Sequence, residues 1–237
     1  MKVRIQKYLS QNHILSRRKA EEYLLKGWIF VNGQVVTQLG FAIDPDIDIV
    51  TLHPSVSHIQ TQHRYIAFHK PRGIVSNCPQ DNETQITDLL PASLQHLNTL
   101  GRLDKESEGL ILLTDDGVFA KHVMSQEHER EYEVWLNAPL TQEKVKELEK
   151  GIVLFGKKTL PLTISRITPT QCTLRMREGK NRHIRRIMEW ALLRVTRLKR
   201  YKVGAVSLGN LEKGAYRNLS EEEYLSFGMT IKKENTP

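Results

Sequence analysis

The sequence contains only two cysteines, Cys78 and Cys172, and they are far apart. Neither belongs to a Cys-x-x-Cys pair, so a disulfide framework and a zinc ribbon are both excluded, and a reducing compartment is expected. The first ten residues lack the apolar core of a signal peptide, and no stretch approaches the roughly 18 apolar residues of a membrane span. These absences predict a cytoplasmic protein.

Motifs for nucleotide cofactors and metals are also missing. The chain has no Walker loop, no Rossmann glycines, no His-Glu-x-x-His pair and no Gly-x-Ser-x-Gly elbow, and its nine histidines are scattered. Asp44, Asp46 and Asp48 imitate the start of a calcium loop, but Ile49 stands where the loop needs glycine and Ser55 where it needs glutamate. We therefore predict no metal site.

Positive charge, by contrast, is in excess and is concentrated in two segments. The chain has 35 lysine and arginine residues against 27 aspartate and glutamate residues. Residues 177–202 contain ten basic residues and two acidic ones, and residues 1–26 contain seven and two. This segregation favours a polyanionic partner, because each cation placed on a phosphate releases condensed counterions. Solvated helix faces explain either segment alone, but they explain both together less well.

The first 51 residues predict a small domain of two helices followed by a β-hairpin. Apolar residues recur at helical spacing over residues 3–11, and a second helix is predicted to begin after Ser16, a favourable N-cap. Asn32-Gly33 then predicts a tight turn between two short strands. Residues 52–63 have little periodicity and are predicted to be a linker.

The rest of the chain, residues 64–237, predicts a larger domain of mixed strands and helices. Alternating or continuous apolar runs predict strands, and a 3.6-residue apolar repeat predicts helices. The predicted strands are residues 64–69, 109–114, 130–136, 162–167, 171–177 and 194–202, and the predicted helices are residues 116–124, 141–150 and 181–192. Both domains together give an α+β protein.

One stretch, GRLDKESEGLILLTDDG at residues 101–117, sets a charged loop directly before a buried strand. A polar loop held by a rigid strand is a favourable place for a functional site, because its surroundings maintain the side-chain geometry. Spacing alone assigns solvated-loop or capping roles to four acidic residues: Glu106, Glu108, Asp115 and Asp116. Spacing alone also makes Asp104 an ordinary turn residue.

The same stretch closely resembles the catalytic motif of bacterial RNA pseudouridine synthases, whose essential residue is the aspartate of Gly-Arg-Leu-Asp. Three other segments resemble motifs of that family: KPRGIVSN (70–77), REYEV (130–134, around the active-site tyrosine) and EGKNRHIRRIM (178–188). The segment from residue 3 to residue 36 resembles an S4 RNA-binding domain. The resemblance points to the branch that modifies ribosomal RNA and carries an N-terminal S4 domain. It implies an S4-type domain at 1–51, a linker at 52–63 and a catalytic domain at 64–237 with a mixed, mainly antiparallel sheet.

The resemblance also implies roles for individual residues. Asp104 is the catalytic carboxylate, Arg185 is its partner, and Tyr132 stacks on the uracil. The position of Tyr132 in its strand, taken alone, favours a core role, and both roles can hold at once. The implied substrate-binding residues are Arg102, Ile184, Arg182 and Lys70. The implied RNA-binding residues are Arg4, Arg17, Arg18, Lys19, Lys180, Arg186, Arg197 and Arg200. Arg102 would fill the space that an extruded base leaves, with a structural salt bridge as its alternative, and Ile184 would pack on that base or belong to the core.

The chemistry of the implied reaction agrees with a single essential carboxylate. Conversion of uridine to its C5-linked isomer cleaves the C1′–N1 bond, rotates the trapped uracil and rejoins it at C5 without a change in oxidation state. The implied reaction therefore needs no cofactor. One ionised carboxylate near C1′ and C2′ suffices, either as nucleophile or as base, and it needs a nearby guanidinium to stay charged in an apolar pocket. The target base must be flipped out, which costs a few kcal/mol.

Several alternatives remain open at this stage. The pair Arg130-Glu131 before Tyr132 looks more like the large-subunit enzymes than the small-subunit ones, so large-subunit ribosomal RNA is the preferred substrate and small-subunit rRNA or tRNA the alternative. A non-catalytic ribosome-assembly factor is a second hypothesis, and intact Asp104, Tyr132 and Arg185 argue against it. A glycoside hydrolase is a third, but it needs a second placed carboxylate, and the basic surface disfavours a neutral sugar. A monomer is expected.

Overall fold

A computed structural model describes residues 2–12, 14–57, 63–80, 82–125 and 127–230. It divides into two compact units, one drawn from Met1–His63 and Asp116–Lys121, the other from Arg64–Asp115 and His122–Pro237. The short segment Asp116–Lys121 is grouped by its spatial neighbours rather than by chain order.

The first unit packs two helices against short strands. Its elements are β1 (Val3–Arg4), α1 (Ile5–Gln11), α2 (Arg17–Leu25), β2 (Ile29–Val31), β3 (Gln34–Val35), β4 (Ala42–Ile43), β5 (Val50–Leu52) and α3 (Pro54–Ser57). β3, β2 and β5 form one sheet, and β1 pairs with β4. The Ser16 hydroxyl accepts a hydrogen bond from the Lys19 amide at 3.2 Å, which confirms the predicted cap of α2.

Two details of this unit differ from the sequence prediction. The helix predicted over residues 3–11 begins at Ile5, because Val3 and Arg4 instead pair as a strand with Ile43 and Ala42. The predicted linker begins inside the unit, since Val56 of α3 packs in its core. Residues 58–62 of that linker lie outside the described residues, so the linker itself stays a prediction.

The second unit is built on a nine-stranded sheet of order β12-β13-β9-β14-β8-β6-β16, with β15 paired to β14 and β7 to β8. Its strands are β6 (Tyr65–Lys70), β7 (Asn98–Leu100), β8 (Glu108–Thr114), β9 (Arg130–Leu136), β12 (Thr163–Thr168), β13 (Gln171–Met176), β14 (Val195–Val203), β15 (Val206–Ser207) and β16 (Tyr216–Asn218). A separate hairpin joins β10 (Val153–Leu154) to β11 (Lys157–Lys158). The helices of this unit are α5 (Gln142–Glu149), α6 (His183–Trp190) and α7 (Glu221–Leu225), with 3₁₀ turns at Ile86–Leu89 and Ala92–Leu94. Another helix, α4 (Gly117–Val123), lies mostly in the segment Asp116–Lys121 of the first unit.

The six strands and three helices predicted for this part of the chain are all present. Each strand boundary lies within one residue of the prediction, and α4 and α5 are each shorter by one residue at both ends. The strands of two or three residues in this part of the chain are not predicted from the sequence, because they are too short to show a hydrophobic period. The α+β class and the mixed, mainly antiparallel sheet are confirmed: β8 and β14 run parallel, and the other pairs of this sheet are antiparallel.

β8 lies between β14 and β6, and every one of its seven residues is buried. This explains the run Leu110–Leu113, which is apolar on both faces of the strand. The charged loop of residues 101–107 leads directly into this rigid strand. α6 lies immediately before β14 in the chain, so the motif carried by α6 is anchored to the strand beside β8.

Gly109 allows the close approach of β8 and β14. Its φ is 116°, and a Cβ atom there would lie 2.1 Å from the Arg200 carbonyl oxygen and 2.6 Å from the Arg200 nitrogen. We expect Gly109→Ala to lower the free energy of unfolding by at least about 3 kcal/mol, because the neighbour in the way is backbone.

Denaturant unfolding monitored by circular dichroism measures this effect. Gly179→Ala is the matched control, since Gly179 has no positive φ and open space around it. Equal unfolding midpoints for the two variants would contradict the close approach.

Candidate active site

A cavity of about 330 Å³ opens in the second unit next to the charged loop. The loop, β9, β13 and the start of α6 all contribute to its wall. The lining residues used below are Arg102, Asp104, Arg130, Tyr132, Lys180, Arg182, His183, Ile184, Arg185 and Arg200. Two of the motifs and the tyrosine segment therefore meet at one concave surface.

The backbone of the loop that carries Asp104 (residues 101–107) is held by hydrogen bonds from residues of the segment KPRGIVSN (70–77). The Ser76 hydroxyl donates to the Leu103 carbonyl at 2.8 Å and accepts from the Leu103 amide at 2.9 Å. The fully buried Lys70 ammonium donates to the carbonyls of Asp104 at 3.1 Å and Ser107 at 2.8 Å, and also contacts those of Pro71 and Lys105. Burial lowers the pKa of Lys70 to about 8.

These contacts correct the prediction for Lys70. The side chain was expected to bind substrate, but its ammonium is turned to backbone carbonyls below the loop and does not line the cavity. A protonated lysine has three donors, and those carbonyls occupy them. Lys70 therefore supports the position of Asp104.

Asp104 and Arg185 form an ion pair at the cavity wall. Asp104 Oδ2 lies 3.7 Å from Arg185 Nε and 3.9 Å from Arg182 Nη1, and 28% of the Asp104 side chain is exposed. Arg185 is itself held: Nη1 donates to the Val195 carbonyl at 3.1 Å and Nη2 to the Ser107 hydroxyl at 3.3 Å. A guanidinium fixed in this way keeps a positive charge beside the carboxylate while leaving the carboxylate open to the cavity.

Burial is the main influence on the Arg185 guanidinium. It lowers the pKa of Arg185 below the ordinary value; the neighbouring Arg182 lowers it further, and Asp104 opposes the shift. Arginine remains protonated in proteins even so. The pair therefore consists of a cation with little freedom to move and a carboxylate that is accessible to a ligand.

Tyr132 and Ile184 belong at once to the core and to the cavity. Both are buried members of the same hydrophobic cluster, and both line the cavity. Among the described residues, no hydrogen bond is formed by the Tyr132 hydroxyl. An aromatic ring and a branched aliphatic side chain near a carboxylate suit a planar, partly apolar ligand.

Comparison with known proteins shows the family of the chain that carries this site. A family model described as RNA pseudouridylate synthase matches residues 64–190. The chain belongs to the RNA pseudouridylate synthase family. A second model, described as the S4 domain, matches residues 3–48. The predicted enzyme class, an RNA pseudouridine synthase, and the predicted S4-type domain are confirmed.

Similar members of the family match over nearly the whole chain. The dual-specificity RNA pseudouridine synthase RluF of Escherichia coli is 31% identical over 99% of this chain and 81% of its own. Ribosomal large subunit pseudouridine synthase B of Bacillus subtilis is 33% identical over 93% of both chains. Ribosomal small subunit pseudouridine synthase A of Vibrio cholerae is 32% identical over 94% of this chain and 99% of its own. A crystal structure of a pseudouridylate synthase, 27% identical, superposes with a TM-score of 0.70 over 95% of this chain and 99% of that one.

The basic segment 177–202 does not form a single RNA-facing surface. Arg200 is buried in β14, where its Nε donates to the Leu110 carbonyl at 2.7 Å. Arg197 forms an ion pair with Glu108 and stacks on Trp135 at 4.4 Å. Strand alternation therefore turns Arg200 inward, away from the expected open surface, and it lines the cavity instead. The Arg197 side chain is 40% exposed, so RNA binding by Arg197 stays a prediction.

Other basic residues of the predicted set are exposed to different extents. Arg4, Arg17, Arg18, Lys180 and Arg182 are exposed, whereas Lys19 and Arg186 are partly buried. Lys180 and Arg182 lie at the cavity wall. Arg102 is exposed at the same wall and makes no ion pair with any described residue, so its salt-bridge alternative is not observed.

Sequence reasoning gave no role in the site to Arg130, which supports the cavity wall. Its guanidinium donates to the carbonyls of Arg177 at 2.8 Å, His128 at 3.1 Å and Val123 at 3.2 Å, which ties β9 to the two segments beside it. Its position at the start of the tyrosine segment was the available signal.

The prediction for Glu108 is also corrected by the structure. It was predicted to be a solvated loop residue, but it is fully buried at the start of β8 and pairs with Arg197 and with Lys213, the latter at 3.0 Å. Burial alone would raise the pKa of Glu108, and these two partners hold it below the ordinary value. The predicted capping role of Asp116 is confirmed, since its carboxylate accepts from the Val118 amide at 2.8 Å.

His183 lines the cavity with 5% of its surface exposed, and neither ring nitrogen has a hydrogen-bond partner among the described residues. Burial lowers the pKa of His183 below 6.5, opposed by Glu178 and assisted by Lys180 and Arg186. The folded protein therefore takes up this proton at a lower pH than the unfolded chain does. Its free energy of unfolding decreases as the pH falls below about 6.5.

We expect His183→Gln to gain stability relative to the wild type as the pH is lowered from 7 to 5, because glutamine does not titrate. Urea unfolding at several pH values measures the difference. Burial also lowers the pKa of His69 and His128, but these residues are common to both proteins and cancel. A stability difference that does not change with pH would contradict the assignment.

The described part of the chain offers no group of three His, Cys, Asp or Glu side chains placed to hold a metal ion. Within the same residues, no helix has the length and apolar character needed to cross a membrane.

Proposed function

We propose that this synthase isomerises specific uridines of ribosomal RNA, with large-subunit rRNA as the preferred substrate and Asp104 as the catalytic residue. The observation that carries the proposal is the Asp104 carboxylate, ion-paired with a fixed Arg185 and open to a cavity that is also lined by Tyr132 and Ile184. A single carboxylate at the edge of a planar, partly apolar pocket suits a reaction at the ribose of a nucleotide whose base stays bound in the pocket.

In the proposed reaction, a uridine is flipped out of its helix and its uracil enters the cavity. Asp104 either attacks C1′ or removes the 2′ proton, and the C1′–N1 bond breaks. The freed uracil turns and C5 bonds to C1′, while the bond from C1′ to the Asp104 carboxylate breaks in the first route or the proton returns to C2′ in the second. C5 then loses its hydrogen, and N1 gains a proton. Atoms and electrons balance without any redox step.

The neighbouring side chains would confine and orient the detached base. Tyr132 would stack on the uracil and Ile184 would pack against it. Arg185 would keep a positive charge next to the carboxylate, and Arg182 would contact the phosphate or sugar of the same nucleotide. Arg102, exposed at the wall, would occupy the space vacated in the RNA helix. Confinement matters because the base has no covalent link to the RNA during its rotation.

Charge supports a polyanionic substrate. The exposed basic residues of the first unit, including Arg4, Arg17 and Arg18, and those at the cavity wall would contact phosphates rather than read sequence. Recognition would then depend on RNA shape and on splayed bases, since the major groove of A-form RNA is too narrow to read.

The choice of subunit is tested by mapping. Purified protein is incubated with unmodified large-subunit and small-subunit rRNA, and pseudouridines are located by chemical adduct formation and primer extension. We expect new sites in large-subunit rRNA. Sites only in small-subunit rRNA or only in tRNA would transfer the activity to that substrate, and no site in any RNA would favour the non-catalytic assembly factor.

The mapping includes both subunits because the resemblance distinguishes only slightly between a large-subunit and a small-subunit substrate. Arg130-Glu131 before Tyr132 favours the large subunit. The relatives named for the large and the small subunit, however, are 33% and 32% identical to this chain.

A further inference from the structure

The β10–β11 hairpin carries an exposed aromatic ring at its tip. Val153 and Leu154 pair with Lys158 and Lys157, so Phe155 and Gly156 form the two-residue turn. Leu154 packs against the core of the unit, whereas 79% of Phe155 is exposed. The hairpin is thus anchored by one side chain and presents the next one to solvent.

The backbone at the tip makes the choice of phenylalanine unusual. Phe155 has φ 52° and Gly156 has φ 73°, the pattern of a type I′ turn, for which Asn-Gly is strongly preferred. A bulky residue with positive φ is strained, and this one gains nothing from burial. A strained and exposed aromatic side chain therefore has a cost in the isolated protein, and such costs are found at functional positions.

The surroundings of the ring are cationic. The Arg186 guanidinium lies 4.6 Å from the centre of the Phe155 ring, a cation–π distance. Lys157 and Lys158 follow in the chain and are both exposed. An exposed ring among three positive charges does not match an apolar protein interface, whose centre is depleted of charge. It does match the aromatic and cationic surfaces on which unpaired nucleotides stack.

The tip is linked to the cavity through α6. Arg186 directly follows Arg185, the partner of Asp104, and its Nη2 donates to the Asn181 side chain at 3.2 Å. Asn181 stands between Lys180 and Arg182, which both line the cavity. A nucleotide stacked on Phe155 would therefore be a near neighbour of a nucleotide held in the cavity.

We infer that Phe155, with Arg186 beside it and Lys157 and Lys158 near it, is a stacking site for an unpaired base that flanks the target uridine. This inference rests on the proposed function and adds to it a preference for single-stranded RNA next to the modified position. The base would stack on the exposed part of the ring, and the three cations would contact phosphates on either side.

The test compares Phe155→Ala with the wild type in binding and turnover of the rRNA that the wild type modifies. We expect the Kd and KM of Phe155→Ala to rise about tenfold, near the lower end for loss of one stacked base. The kcat at saturating RNA should stay within about twofold, because Phe155 does not line the cavity. Phe155→Trp should restore tight binding.

Two further variants separate stacking from other causes. Val153→Ala removes a 62% exposed apolar side chain from the same hairpin, and it should leave the Kd unchanged. Lys157→Gln combined with Lys158→Gln should flatten the salt dependence of binding, whereas Phe155→Ala should weaken binding at every salt concentration without changing that slope. Circular dichroism and unfolding midpoints check that each variant is folded.

The inference is overturned if Phe155→Ala binds RNA as tightly as the wild type does. This holds even if the variant no longer binds a protein partner. A loss no larger than that of Val153→Ala would also overturn it. Failure of the proposed function looks different: in that case the wild type itself forms no pseudouridine in any rRNA.

Discussion

Asp104→Asn is expected to bind rRNA as tightly as the wild type and to form no detectable pseudouridine, a loss of at least about 10³-fold in turnover. Asparagine has nearly the same shape as aspartate, so the loop should keep its fold. The amide is neither a competent nucleophile nor a base, and both proposed roles of Asp104 require the charge. Nucleoside analysis by mass spectrometry under single-turnover conditions, with a filter-binding titration alongside, measures the two quantities.

A neighbouring carboxylate provides the control. Glu106 lies in the same loop and forms an exposed ion pair with Arg72 at 3.3 Å, outside the cavity lining. Glu106→Gln should keep turnover within about threefold, because an exposed pair contributes little. If Asp104→Asn retained turnover similar to that of Glu106→Gln, the catalytic assignment of Asp104 would be lost.

Arg185→Met is expected to reduce kcat by about 10²-fold or more while changing RNA affinity little. The substitution removes the positive charge beside Asp104 and leaves the Val195 carbonyl and the Ser107 hydroxyl without their donor. Loss of buried hydrogen bonds should also lower the free energy of unfolding by about 2 kcal/mol. Turnover kinetics and denaturant unfolding distinguish the two effects.

Arg182→Met is the matched comparison, because Arg182 lies at nearly the same distance from Asp104 Oδ2 but is half-exposed. We expect it to raise KM more than it lowers kcat, and to leave stability unchanged within about 0.5 kcal/mol. If the two arginine variants behaved alike, the special position of Arg185 between β14 and the Asp104 loop would have no catalytic consequence.

Local pattern was sufficient for the main elements of the second unit. The apolar run of β8, the alternation of β9 and the 3.6-residue repeat of α6 each predict their element within two residues, because burial repeats with a fixed period along the chain. The Ser16 cap was predictable for a similar reason, since an N-cap interacts only with the next turn of its own helix.

The site itself was predictable through resemblance and not through spacing. Asp104 and Arg185 are far apart in the chain, and no periodicity brings a loop before β8 together with α6. Spacing alone made Asp104 a turn residue. Its carbonyl does accept a hydrogen bond from the Ser107 amide at 2.9 Å, so that simpler interpretation was correct for the backbone and incomplete for the side chain.

The residues that sequence reasoning misplaced all depend on contacts distant in the chain. Glu108 is buried because β14 and the segment around Lys213 supply its counter-charges. Arg200 faces inward because the register of β14 against β8 puts it opposite Gly109. Lys70 ends β6 beside the loop of residues 101–107, and its ammonium donates to backbone carbonyls of that loop. From its charge alone, each of these residues is predicted to lie at the surface.

The most direct test of pseudouridine formation by Asp104 measures the loss of the hydrogen at C5 of the target uridine. Because C5 must lose that hydrogen when it bonds to C1′, rRNA transcribed with 5-tritiated uridine should release tritium into water when the wild-type protein is in excess. We expect release equivalent to one or a few uridines per RNA molecule, and none from Asp104→Asn at concentrations where it binds fully. Equal release by both proteins, or none by the wild type on any rRNA, would contradict it.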